Sequence, residues 1–312
     1  MSFIPGIKID GIDLYKEFGI LPESRSIGKP SKEKVLEKIP YSNHTLDFSE
    51  LYGENTFNER QIEYTLNIIG RQPNIEAAYQ LESKLTNILM RKSQFKLQDD
   101  VFPNYYFLVE QRKGPNFELN SYAGKLILTL DAYPFRISEL PEGNNLWKTF
   151  NFYEDVLQET KFHVERTTFK PVEVGQYVTV GAWSKSYDGL EKIPKKALGE
   201  TYKVKEEKVT SQSVSKVSYL LAGIEKWVLE QDIIQAQNGV TEINLVNRGI
   251  PSVVPKITSN YPVSIIFGNQ VFNIWKGVAL SEFFRLESGD NKMQITGNRP
   301  TTVEFEFYKE LI

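Results

Sequence analysis

Residues 60–70 read RQIEYTLNIIG, with Ile62, Tyr64, Leu66 and Ile68 at every second position and Gly70 at the end. Successive side chains of a strand point to opposite faces, so this run predicts a half-buried strand with one apolar row. Working outward, Pro73 breaks the chain and Asn74 is placed to cap a helix over 74–92. Along it Ala78, Leu81, Leu85, Ile88 and Leu89 recur at helical spacing and form one apolar stripe. A strand followed by a one-sided helix implies a sheet that the helix covers.

The rest of the first half supplies that sheet. IKIDGIDLYKEFGI alternates Ile7 and Ile9, turns at Asp10-Gly11 and resumes with Ile12 and Leu14, a hairpin pattern. Residues 105–109 and 126–130 read as further strands, joined through QRKGPNFELNSYAG. Residues 24–43 are polar and interrupted by Pro30 and Pro40, and are predicted to be an exposed arm.

Pro134, Pro141 and Gly143 then fall between apolar runs and mark a boundary. The organisation predicted is a domain over 1–138, a linker over 139–150 and a second domain over 151–312. LWKTFNFYEDVL and QYVTVGAW read as strands, and the lysine-rich 192–208 as a solvated loop. VSKVSYLLAGIEKWV fits both periods and is assigned to strand on its Val, Tyr and Gly content. From Thr241 onward short strands alternate with turns, as in a sandwich or jelly roll. There 288–291 reads as a turn, Met293 and Ile295 face inward, and Gly297-Asn298 turns again. Val303, Phe305 and Phe307 form an inward row, with Glu304, Glu306 and Tyr308 turned away. The fold class predicted is mostly β in two domains.

Composition narrows function by exclusion. With 312 residues, 40% hydrophobic and 25% charged, the chain is ordinary globular protein. A formal net charge of -3 and a pI of 5.7 give no general attraction to phosphate backbones, which disfavours sequence-specific nucleic-acid binding. There is no cysteine, which removes disulfides and thiolate metal sites. The first residues lack a basic segment followed by an apolar run, so no secretory signal is read there. No apolar stretch approaches the roughly 18 residues that span a bilayer. The sequon at Asn43 is then a chance match.

No chemistry announces itself. His44 and His163 stand apart, each without a second His or a carboxylate at ligand spacing, and an exposed or capping role is the ordinary reading. A Gly-x-Ser-x-Gly elbow is missing. SIGKPSK lacks the upstream glycine and the Ser or Thr after Lys that a phosphate loop needs. A catalytic carboxylate pair is defined across a cleft and has no sequence signature. Trp183, Trp227, Trp275 and Tyr261 are the aromatics that could stack on sugar rings if they lie on the surface, although aromatics of this kind more often serve cores and protein interfaces.

Several stretches, taken in order, resemble the phage distal tail (Dit) family of siphophages. They are the arm, the block TLDFSELYGENTFNERQIEYTLNIIG, the covering helix, and GKLILTLDAYPF with Asp131, Tyr133, Pro134 and Phe135. In the second half INLVNRGIPSVVPKIT places Asn247, Gly249 and Pro255, and LESGDNKMQITG places Leu286, Gly289, Asn291 and Gly297, where that family has matching residues. The resemblance spans nearly the whole chain and is weakest between about Glu165 and Asn238.

The resemblance implies an N-terminal ring-forming sheet domain with a packed helix and an extended arm, followed by a C-terminal galectin-like β-sandwich. It implies a homo-hexameric hub at the distal end of a virion tail, made in the host cytoplasm. Such a hub joins the tail tube protein to a tail tip or tail-associated protein and carries receptor-binding components. No catalytic residue, cofactor, metal or membrane partner comes with the family. The His-x-Asn-x-Arg constellation of sugar-binding galectins is missing from the second half, whose histidine sits in KFHVERT. The other reading kept open is a carbohydrate-binding adhesin that uses the sandwich on host cell-wall saccharide.

Overall fold

The computed structural model describes residues 5–49, 53–68, 75–120, 123–143, 152, 157–165, 168–187, 191–238, 240–297 and 299–312. The chain is mostly β and divides into two compact units. The first is Met1–Leu140 with Gly249–Pro251 and Tyr308–Ile312; the second is Pro141–Arg248 with Ser252–Phe307.

In the first unit the opening strand sits where its alternation requires. Arg60–Ile68 pairs antiparallel with Ala123–Ala132 on one side and Ile20–Ile27 on the other. Ile62, Tyr64 and Leu66 are fully buried, and Leu126, Leu128 and Leu130 continue the same face. The helix Ile75–Met90 lays Leu81, Leu85 and Leu89 into this core. Its expected cap Asn74, the strand end at Gly70 and the side chain of Ala78 lie outside the described residues. The sheet continues through Tyr105–Glu110, Phe95–Asp99, Ile7–Ile9 and Ile12–Asp13.

Three local readings change. After the Asp10-Gly11 turn the chain does not stay extended: Asp13 accepts hydrogen bonds from Tyr15 N and Lys16 N and starts a short helix, Leu14–Phe18, that ends at Gly19. The connection after Glu110 contains a strand of its own, Asn116–Asn120, paired with the far end of Ala123–Ala132. The arm begins later than its polarity suggests. Residues 24–27 belong to the edge strand Ile20–Ile27 because Arg25 reaches under the sheet to Asp99, with Nε 2.9 Å from Oδ2. Asp99 also accepts from the Tyr64 hydroxyl (2.8 Å) and Val101 N (3.0 Å). Burial, then the Asp99 charge, pushes the Tyr64 hydroxyl well above its usual pKa.

The second unit contains a β-sandwich. One four-stranded sheet runs Lys161–Val164, Thr301–Glu306, Lys256–Ser259, Gly277–Ala279; the other runs Thr241–Asn247, Gly289–Thr296, Val263–Phe267, Gln270–Ile274. Met293, Ile295, Val303, Phe305 and Phe307 fill its core, as their alternation predicts. Of the strand expected over LWKTFNFYEDVL (146–157) the described residues include Phe152 and Leu157, both exposed, and the turn residue Asn298 lies outside them. The turn expected over 288–291 is tighter than read, because the strand Gly289–Thr296 is already paired at Gly289, opposite Asn247.

Within this unit residues 170–236 build a separate module with its own core of Val178, Val180, Val204, Tyr219, Leu221, Val228 and Ile233. The chain enters and leaves it side by side, since Thr168–Phe169 pairs with Gln237–Asn238. Its sheet is ordered Tyr177–Thr179, Thr201–Val209, Val217–Leu221, Lys226–Leu229. The second half of the solvated loop read over 192–208 is therefore the strand Thr201–Val209. Its burial pattern shows why composition misleads: Val204 is the buried residue of an otherwise half- or fully exposed strand. The ambiguous stretch resolves into the two strands Val217–Leu221 and Lys226–Leu229. The sandwich is also not the end of the chain, because Glu310–Leu311 pairs with Arg136–Ser138 inside the first unit.

Candidate functional site

The segment between Ile27 and Arg60 is a two-stranded excursion. Gly28 N donates to Gln61 O (2.9 Å) at its base, and a β-carbon on Gly28 would fall 2.6 Å from that oxygen. Further out Asn58 N bonds Ser31 O and Glu33 N bonds Thr56 O, each at 2.9 Å. The tip is a hairpin in which Leu36–Lys38 pairs with Thr45–Asp47. The Lys34 ammonium lies 2.9 Å from the Asp47 carboxylate, and Val35 N donates to Ser49 Oγ (2.9 Å). Hydrogen bonds from Ser49 and then Lys34 hold the Asp47 carboxyl well below its usual range. The hairpin is shaped by its own polar ties while Val35, Leu36, Ile39, Tyr41 and Leu46 remain exposed. Five large apolar side chains stay open to solvent on one hairpin, which is the character of a contact element.

The residues singled out from the family resemblance fall into two buried arrangements and some separate positions. Pro134 is buried, and its carbonyl accepts from Arg60 Nε (2.8 Å) and from the same guanidinium's Nη2. Burial, then the charge of Arg136, brings Arg60 down to about 10, still a cation at neutral pH. Phe135 packs edge-on to Phe57 (5.2 Å) and Tyr133 (5.6 Å). The Tyr133 hydroxyl donates to Glu310 (2.9 Å), and Asp131 lies 3.5 Å from Arg112.

The second arrangement joins Asn247, Leu286, Gly289 and Asn291. Asn247 Nδ2 donates to Leu286 O (3.1 Å). Asn291 Oδ1 accepts from Glu287 N (2.8 Å), and its Nδ2 faces Leu245 O, Glu287 O and Gly289 O at 2.8–3.2 Å. Gly289 has a φ of +98°, which a side chain would strain. These two asparagines hold the 286–289 turn by its backbone. Gly249 belongs to the first unit, where Ile250 N donates to Glu310 O (2.9 Å). Pro255 and Gly297 are buried in the second unit.

The candidate sugar-stacking aromatics separate. Trp183 is buried, the Trp227 ring lies under Lys208 (4.4 Å) and Tyr261 under Arg299 (4.6 Å). Trp275 is half exposed, near in sequence to the exposed Val278, Leu280 and Phe283. His44 and His163 are both exposed, and among the described residues no three His, Asp or Glu side chains gather as metal ligands. No helix of the described residues is long and apolar enough to cross a membrane. The sequence missed the return strand of the hairpin, whose first half looked like loop, and the buried Asp232, which sits in the mixed stretch LEQDIIQA (229–236) and carries no local signal.

A ten-stranded sheet covered by one helix, an exposed hairpin and a β-sandwich make up a fold shared with a phage distal tail protein. In particular, the chain is similar to the crystal structure of SPP1 Dit (gp 19.1), described as "a Paradigm of Hub Adsorption Apparatus in Gram-positive Infecting Phages". The TM-score is 0.51 at 10% identity, covering 99% of this chain and 100% of that one. The phage p2 baseplate in its activated conformation with Sr aligns over 98% of each chain at 11% identity. Its TM-score of 0.35 carries no argument. No family model matches the sequence, and no curated protein matches it.

Proposed function

We propose that this chain is the hub protein of a siphophage tail. Six copies close into a ring at the distal end of the tail, join the tail tube to the tip or baseplate, and present their second units as a platform for adhesion components. The observation that carries this reading is the end-to-end match of fold with a protein described as a hub, with neither chain left over. A closed ring needs heterologous contacts, in which one patch meets a different patch on the next subunit. The exposed hairpin offers one such patch, with Val35, Leu36, Tyr41 and Leu46 open to solvent. The motif residues act as fold-holding groups, since those described above spend their polar atoms on backbone or on neighbouring side chains.

The test is the assembly state of the purified full chain, by light scattering with negative-stain imaging. Six-fold rings are expected. A chain that stays monomeric at every concentration, alone and mixed with its tail tube protein, would overturn the ring. A host-polysaccharide complex abolished by Trp275→Ala would point to the adhesin reading instead.

A further inference from the structure

The module over 170–236 is seated on the outer face of the sandwich through the turn 181–184 and the neighbouring Gly199. Ala182 N lies 3.4 Å from Ser264 Oγ on Val263–Phe267, and Ser264 donates to Asn273 Oδ1 (2.8 Å) on Gln270–Ile274. Gly199 comes so near that a β-carbon there would fall 2.1 Å from the Asn273 amide nitrogen. Trp183 closes the turn: its ring lies over Gly181, and its indole N–H donates to Gln231 O (2.7 Å).

Behind the turn lies the helical turn Glu230–Asp232. The Asp232 carbonyl accepts from Gly181 N (2.8 Å) and from Ser184 Oγ (3.0 Å). Ile234 N bonds Thr179 O (3.0 Å), and Gly199 N bonds Val180 O (2.8 Å). The Asp232 side chain points into this packing, and the residue is 3% exposed.

Its surroundings suit an acid better than an anion. Ser184 is the side chain that hydrogen-bonds the carboxyl. Its contact with the carboxyl favours the anion but is outweighed by burial, and the same hydroxyl is shared with the Asp232 carbonyl. Charged groups do not compensate. Glu230 is spent on Lys216 N (2.6 Å) and Val217 N (3.1 Å), and Gln231 Oε1 accepts from Val214 N (3.3 Å). The 181–184 turn brings no ionisable side chain, Lys185 after it is exposed, and so is Tyr177 on the neighbouring strand. Burial and Ser184 are the influences on Asp232, and no cation is among them.

We propose that Asp232 is a proton-operated latch on this seat: with the carboxyl neutral the 181–184 turn stays closed over the sandwich sheet, and when the carboxyl ionises the turn opens to water. Burial pushes the carboxyl up to about 7, which puts the change across neutral pH. The latch is independent of the tail-hub reading and rests on the second unit alone.

Hydrogen–deuterium exchange on the full chain tests it, with rates corrected for the intrinsic pH dependence of amide exchange. From pH 6 to pH 8 the protection of amides 180–184 and 233–234 should fall about tenfold, the ratio for one proton lost in this interval. In Asp232→Asn, which keeps the shape and removes the titration, protection should stay constant. Ser184→Ala removes the hydrogen bond that favours the anion and should move the midpoint up. Equal pH dependence in the wild type and Asp232→Asn would overturn the latch, as would a wild-type seat whose protection does not change. An unmoved midpoint in Ser184→Ala would count against it in the same way.

Discussion

At the scale of single residues, fold and proton balance rest on a few buried polar groups. Asn291 satisfies backbone atoms on both sides of the 286–289 turn, so Asn291→Ala leaves several of them without partners inside the protein. Each buried group left unmade costs on the order of 1 to 3 kcal/mol. A loss of about 3 kcal/mol is expected in denaturant unfolding, and a midpoint equal to wild type would show that the turn stands without it. Asp232 sets a pH dependence of opposite sign to that of an ion-paired carboxylate. Its pKa is 3.8 when unfolded and about 7 when folded. Between these values the folded chain holds a proton that the unfolded chain has released, so stability falls as pH rises from about 4 to about 7 and is level above. Unfolding at several pH values should show this slope in the wild type and lose it in Asp232→Asn. Asn291 stands out in the sequence through the family resemblance and Asp232 does not, because Asn and Asp read as turn or surface until burial is known.

At the scale of elements, the hairpin is the part whose removal separates folding from assembly. Cutting residues 35–54 and joining Lys34 to Asn55 through a two-residue turn keeps the 31–33 to 56–58 ladder and the whole edge strand Ile20–Ile27. The shortened chain should melt as the wild type does but fail to form rings in negative stain. Rings of normal size from this variant would remove the hairpin from the assembly. A cut over 24–43 is a poorer experiment, since it takes Arg25 away from Asp99 and leaves a buried carboxylate without its cation. Elements with strong alternation, such as Arg60–Ile68 and Thr301–Glu306, were legible from their residues. Exposed strands such as Leu36–Lys38 and Thr201–Val209 were not, because pairing fixes their backbone while most of their side chains stay wet, and too few buried positions recur to mark the period.

At the scale of the whole molecule, the module and the sandwich have separate cores. No residue of 170–236 belongs to the sandwich core, and the Phe169–Gln237 pair brings the module's two ends together. Replacing 170–236 with a Gly-Asn turn should therefore leave a chain that still unfolds cooperatively, measured by circular dichroism with calorimetry. Loss of the sandwich transition in that variant would mean that the module is needed to fold it. The sequence by itself determined the mostly-β class, the strand rows, the covering helix and the likeness to distal tail proteins, because periodicity and short turn signals are local. Only the tertiary structure decided that an independent module interrupts the sandwich, that the last strand, Glu310–Leu311, returns to the first unit, and that Asp232 is buried. Those outcomes depend on which distant segments pair and what they remove from water, and pairing between residues far apart in the chain leaves no pattern in either partner alone.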